Sequence, residues 1–371
     1  MSGNQLDPDG GLAAELRRRI RAFGPLTVAE YMAEALGNPR YGYYKIRNPI
    51  GAAGDFITAP EVSQMFGELI GLWCADTWQK LGAPSPVRWV EIGPGRGTLM
   101  RDAFRSSRAL PAFHDSADIH FVETSPVLRT CQREALQDVD VTWHDRFLHV
   151  PDGPVIVVAN ELFDALPIHQ FERTFHGWYE RLVDLDGDGE GFRFVFGPVT
   201  AAFSLVSEEL RNAPLGSVIE VSPACIDLMR DIAERVVDSL GVALIIDYGS
   251  LETRPRDTLQ AVVAHRSHEV LDSPGSADLG AHVDFAVLEQ TATECGAEVW
   301  GPVLQGEFLE SLGIRVRATR LKETLTPERS GEVDSALERL TGPGQMGTLF
   351  KVLAIGSPGT PVPDGLGANN R

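Results

Sequence analysis

From Val87 onward, apolar residues fall into short continuous runs separated by stretches of helical period. That alternation predicts an α/β chain with a mostly parallel sheet covered by helices. Val87, Trp89, Val90 and Ile92 form the first run, and residues 120–122, 139–143, 154–159 and 242–246 the next four. Upstream, the pattern is helical over 12–23 and again to Leu36, where Thr27 and Glu30 have the spacing of a capping box. Thr58 and Glu61 repeat it, with Pro60 in the first turn, and predict a helix to about Leu81 that buries Val62, Met65, Phe66, Leu69, Ile70 and Trp73. The aromatic stretch 41–44 between these helices reads as a loop lining a core or a site.

Between 168 and 198 the period changes to two, and antiparallel hairpins are expected. The acidic turn 184–190 resembles the first half of a calcium loop, but position twelve is Val195, so it reads as a hairpin turn. Ser222 and Pro223 open a helix to about Leu240, further helices are expected over 284–295, 307–312 and 327–340, and 345–355 ends in a strand. The resulting scheme has a helical extension over 1–84 contributing to the active site, an α/β domain over 85–355 with an insertion at about 168–222, and a disordered Gly/Pro-rich tail over 356–371.

Composition narrows the function classes. A net charge of −19 over 371 residues repels phosphates, which argues against nucleic acid and leaves room for a cationic protein partner. Cys74, Cys131, Cys225 and Cys295 form no CxxC pair and read as reduced thiols. His265, His268 and His282 stand near Asp272, Asp278 and Asp284 but meet no strict ligand motif, so no metal is expected. Arg17, Arg18, Arg19 and Arg21 make a basic helix face that is expected to be solvated. No run of about eighteen apolar residues predicts a membrane span. The opening MSGNQLDPDG resembles neither a signal nor a transit peptide, so the expected setting is cytoplasmic.

Candidate chemistry gathers at strand tips. After Ile92 the chain runs Gly93-Pro94-Gly95-Arg96-Gly97 into a helix start, a bare-backbone turn over which a ligand can lie. The third glycine comes one residue early for a dinucleotide fingerprint, and Glu91 beneath the loop would repel a pyrophosphate, so NAD fits poorly. The E-x-G-x-G-x-G pattern suits S-adenosylmethionine, with Glu91 drawing its ammonium directly or through water. Glu123, at the tip of the second strand, is placed to hold a ribose diol. Asp145, after the third, could meet an adenine amino group or be a surface charge. Asn160, Glu161 and Asp164 follow the fourth strand beside the glycine turn; with Asn160 as a cap, both acids would project from one face. The glycine-rich 51–55 ahead of Thr58 and Pro60 could fold over a ligand.

Taken together, GDFITAPEVSQMFGELIG, EIGPGRGTLM, ANELFDALPIHQF, IDYG, SADLGAHVDF and MGTLFKVL resemble the MidA family of S-adenosylmethionine-dependent methyltransferases, over roughly residues 25 to 355. The resemblance implies a class I methyltransferase fold, a Rossmann-like seven-stranded sheet with its last strand antiparallel, plus N-terminal helices and an insertion. It implies that Gly93, Gly95, Gly97 and Glu123 bind the cofactor and that Thr58, Pro60, Asn160, Glu161 and Asp164 line cofactor and substrate clefts. It also implies a protein arginine acceptor on a complex I core subunit, which mitochondrial members of the family modify during assembly. An assembly scaffold that binds the cofactor without turnover, and a small-molecule methyltransferase, stay open beside that reading.

Overall fold

The computed structural model describes residues 11–47, 51, 54–55, 57–323 and 325–367. The polar start, parts of the 51–55 loop and the last four residues lie outside these.

Seven strands form the main sheet, in the order Glu298–Leu304, Phe350–Gly356, Gly241–Ser250, Val155–Asn160, Val87–Ile92, Ala117–Val122, Val141–His144. The two-residue strand Val283–Asp284 adds to its rim beside Gly249 and Ser250. The five expected strands pair parallel with one another, and Phe350–Gly356 runs antiparallel to both of its neighbours. Val155–Asn160 and Gly241–Ile246 are buried throughout because helices cover both faces. The Val87–Ile92 strand lies between the 117–122 and 155–160 strands. Strand order reverses there, and the crevice for a ligand opens at the carboxyl ends of strands flanking such a reversal.

The helix expected over 58–81 is two helices, Ala59–Val62 and Gln64–Lys80, broken at Ser63, whose extended backbone lets its hydroxyl accept from Met65 N–H. Thr58 makes no cap there, because Glu61 is turned to Thr98 and Arg96 instead. Gln64–Lys80 packs on Thr98–Ser107 at close range: a Cβ at Gly71 would come within 2.4 Å of the Ala103 carbonyl. That packing places residues 50–84 with the α/β unit, so the chain divides at Pro49/Ile50 rather than at 84/85. One unit comprises Ile50–Asp164, Ile226–Thr253 and Val283–Arg371, and the other Met1–Pro49, Ala165–Cys225 and Arg254–His282.

The second unit holds the hairpins, as an antiparallel sheet of His169–Thr174, Gly177–Leu185, Phe192–Gly197 and Val218–Val221, to which Leu26–Thr27 adds. Thr27 and Glu30 make the expected capping box. The 184–190 stretch is a hairpin turn, with Asp186 Oδ1 accepting from Gly189 and Glu190 N–H. Arg17 and Arg21, expected to be solvated, donate to the Glu190 and Gly189 carbonyls of that turn. The aromatic stretch becomes a short helix, Tyr43–Ile46, with Tyr43 buried.

The expected disordered tail is a correction. Ser357 Oγ accepts from Gly241 N–H at 2.7 Å, Trp73 donates to the Asp364 carbonyl, and Leu366 is fully buried in the main core. An apolar anchor and hydrogen bonds through Ser357 and Asp364 order a segment whose composition resembles a linker. The strand Glu298–Leu304 and the helix Ile314–Lys322 lack a sequence signal; Gly301-Pro302 interrupts the strand and shifts its register.

Candidate active site

The glycine turn is built on left-handed backbone. Gly93, Gly95 and Gly97 have φ of +67°, +53° and +79°, a region costly for a residue with a Cβ. A Cβ on Gly93 would stand 2.8 Å from Leu162 Cδ1, and one on Gly97 3.3 Å from Gln132 Cα. Gly97 caps the Thr98–Ser107 helix, whose first N–H groups face the turn.

Glu123 is nearly buried at the adjacent strand tip. Its Oε1 accepts from Ser125 N–H at 2.6 Å and its Oε2 from Gln132 Nε2 at 3.3 Å. Gln132 also donates to the Gly95 carbonyl at 2.8 Å and accepts from Trp143 Nε1 at 2.8 Å. This one fully buried amide ties the glycine turn, the acid and the third strand together. The sequence held no signal for it: an uncharged residue in mid-helix has no pattern that marks it. Asp145 is ion-paired with Arg129 at 2.8 Å, and Arg129 in turn donates to the Glu123 carbonyl.

Strand alternation sets Glu91 on the face of Val87 and Trp89. Burial pushes its carboxyl up to about 8, opposed by the Met100 N–H it accepts.

At the fourth strand's end, Asn160 is the last strand residue and does not cap a helix. The cap comes from Asp247, at the fifth strand's end: its Oδ2 accepts from the N–H groups of Leu162 (3.0 Å), Phe163 (2.8 Å) and Asp164 (3.4 Å). Burial raises the Asp247 pKa, as do Asp164 and Glu161, against the pull of the N–H groups it accepts from. Asp247 went unassigned because its partners lie more than eighty positions away.

Glu161 occupies a left-handed φ of +52°, strained for a residue with a Cβ. Its Oε1 accepts from Ala59 N–H at 2.7 Å and from Asn160 Nδ2 at 3.2 Å. Desolvation lifts its carboxyl to about 8, with Asp164 adding and the Ala59 N–H opposing. The 58–60 turn and Glu161 therefore meet, and Pro60 is buried beside them. Asn160 Oδ1 is a buried acceptor without a hydrogen-bond partner.

The arrangement suits an adenosyl amino acid: a glycine-rich backbone turn, an acid at the tip of the second strand, an open acceptor at Asn160, and acids beyond. Among the described residues no three His, Cys, Asp or Glu side chains are grouped as metal ligands, and no helix is long and apolar enough to cross a membrane.

Known proteins agree with that geometry. Residues 69–303 match a family described as putative S-adenosyl-L-methionine-dependent methyltransferase. The chain is 39% identical over 379 residues to a Drosophila melanogaster protein named protein arginine methyltransferase NDUFAF7 homolog, mitochondrial, covering 93% of this chain and 85% of that one. It is 35% identical to the Homo sapiens protein arginine methyltransferase NDUFAF7, mitochondrial, covering 95% and 86%. A solved Burkholderia thailandensis member of the COG1565 superfamily, a likely methyl transferase bound to S-adenosyl-homocysteine, aligns with a TM-score of 0.83 at 28% identity over 96% of this chain and 94% of that one. The relatives' names also correct the cytoplasmic expectation, since each places its protein in mitochondria.

Proposed function

Since this chain belongs to the family of S-adenosyl-L-methionine-dependent methyltransferases, we propose that it methylates an arginine side chain on a protein, and that the acceptor is a subunit of respiratory complex I or a related protein. The observation that carries the reading is Glu161: a desolvated carboxyl, held by Ala59 N–H and Asn160, standing beside Asp164 at the tip of the strand next to the glycine turn.

The bound cofactor supplies a methyl group on a sulfonium that departs as a neutral thioether. The protein's part is to position the acceptor and take its proton. Gly93, Gly95 and Gly97 give backbone contact, Glu123 holds the ribose, and Thr58 and Pro60 form the opposite wall. A guanidinium is protonated at all ordinary pH, so a carboxylate must orient its terminal nitrogen and accept the proton as the new bond forms. Glu161 does this, with Asp164 gripping the second edge. Burial alone lifts that carboxyl to about 8; the positive charge of the arriving guanidinium favours its ionised form, in which it can orient the nitrogen and take the proton. Asp247 acts through the loop: by fixing the N–H groups of 162–164 it holds both acids in place.

Replacing Glu161 with Gln tests this. The variant should bind S-adenosylhomocysteine as wild type does by calorimetry and lose at least a hundredfold in arginine methylation, read by mass spectrometry of the partner. Normal turnover in that variant would overturn the assignment of Glu161.

A further inference from the structure

The antiparallel sheet carries a second candidate site, apart from the glycine turn in sequence and built from other residues. Cross-strand pairing puts Gln170 opposite Glu220, Arg181 opposite Phe196 and Val183 opposite Phe194. Paired residues share a face, and so do residues two apart, so Gln170, Glu172, Arg181, Phe194 and Phe196 look out on one side. There they line a cavity of about 550 Å³ together with Asp257, Leu259 and Val270.

Its floor is polar and incompletely satisfied. Gln170 is 1% exposed; its Nε2 donates to Glu220 Oε1 at 2.8 Å and Asp257 Oδ1 at 3.0 Å, and its Oε1 has no hydrogen-bond partner. A buried carbonyl oxygen left unpaired carries a desolvation cost and calls for a donor. Arg181 shows which donor the cavity accepts: its guanidinium bridges Glu172 at 2.8 Å and Asp257 at 2.7 Å. Those two acids against one guanidinium leave the lining negative.

The rim is apolar. Phe194 and Phe196 are 41% and 53% exposed, side by side on Phe192–Gly197. Among the described residues that strand pairs on one side alone, with Gly177–Leu185, so its other edge offers backbone N–H and C=O groups to an extended chain. A free edge selects a polypeptide over a small molecule, the phenylalanines select apolar neighbours, and the floor selects a cation.

We infer that this sheet face docks an extended segment of the protein substrate, which adds to the Phe192–Gly197 edge and sends a guanidinium or ammonium side chain to Glu172, Asp257 and the Gln170 carbonyl. The inference rests on the reading of a protein acceptor and names how that acceptor is held, at a position distinct from the arginine that is methylated.

A fluorescein-labelled Thr-Val-Arg-Val-Thr-Val peptide and a twin with glutamine for arginine, titrated by anisotropy, provide the test. Wild type should bind the arginine peptide at least tenfold more tightly than its twin. Phe194→Ser with Phe196→Ser, and separately Asp257→Asn, should each lose at least tenfold while binding S-adenosylhomocysteine normally. Equal binding of the two peptides, or unchanged affinity in both variants, overturns the docking site. With a methylated protein in hand, the variants should raise KM tenfold at constant kcat. Arginine methylation with an unaltered KM sinks the docking site alone; peptide binding as expected without arginine methylation anywhere in a proteome sinks the protein-acceptor reading and leaves the docking site standing.

Discussion

Glu91 and Glu161 are two carboxyls that burial has pushed to about 8, for different ends. Glu91 lies among core residues and anchors the start of the Thr98–Ser107 helix through Met100 N–H; Glu161 stands at a strained strand tip with acids around it. Both tie stability to pH with the same sign. Unfolded, each ionises near 4.3, while the folded protein keeps the proton to about 8. Their contribution is complete below that lower value and is lost as pH rises between the two, by up to about 1.4 kcal/mol per pH unit for each group. Urea unfolding at pH 5.5 and pH 7.5 should therefore show Glu91→Gln losing less stability over that interval than wild type. An equal loss in the two proteins would show that Glu91 ionises freely in the fold.

At the scale of elements, the site is a set of strand ends held by side chains from neighbouring elements. Gln132, in the helix after the second strand, ties Gly95, Glu123 and Trp143. Asp247, from the fifth strand, caps the loop after the fourth. Gln132→Ala removes three hydrogen bonds at once and leaves the Gly95 carbonyl and Trp143 Nε1 without this partner. We expect it to weaken S-adenosylhomocysteine binding about tenfold or more by calorimetry, with a normal far-ultraviolet circular dichroism spectrum; wild-type affinity would mean the turn is rigid without the amide. The glycine turn itself was legible from sequence because only glycine tolerates three left-handed residues in five. Gln132 and Asp247 were not, since what they do depends on partners brought close by folding.

Across the whole molecule, the strand–helix alternation gave away the parallel sheet, and the period-two stretch the inserted antiparallel one. The tail's composition resembles a linker's because composition reports average preference, whereas Leu366 is one anchor in one hole of the main core, beside Gly301. Leu366→Ala should cost about 2–5 kcal/mol in denaturant unfolding, the range for truncating a fully buried leucine. A cost under 1 kcal/mol would return residues 357–367 to the status of a linker. The helix Gln64–Lys80 joins the α/β unit for a similar reason: Gly67 and Gly71 let it press against Thr98–Ser107, and Glu68 pairs with Arg317.

Local order along the chain was enough to set the fold class, the glycine turn and the acids at the strand tips, because period, left-handed glycine and strand-end position are all short-range properties. What those acids do was decided by tertiary structure. Glu91 turned inward to the core, Glu161 was desolvated against Ala59 N–H, and Asp247 took the capping role expected of Asn160. A carboxyl's charge and partners depend on which groups folding brings within a few ångströms, and that distance is not written in the spacing of residues along the chain.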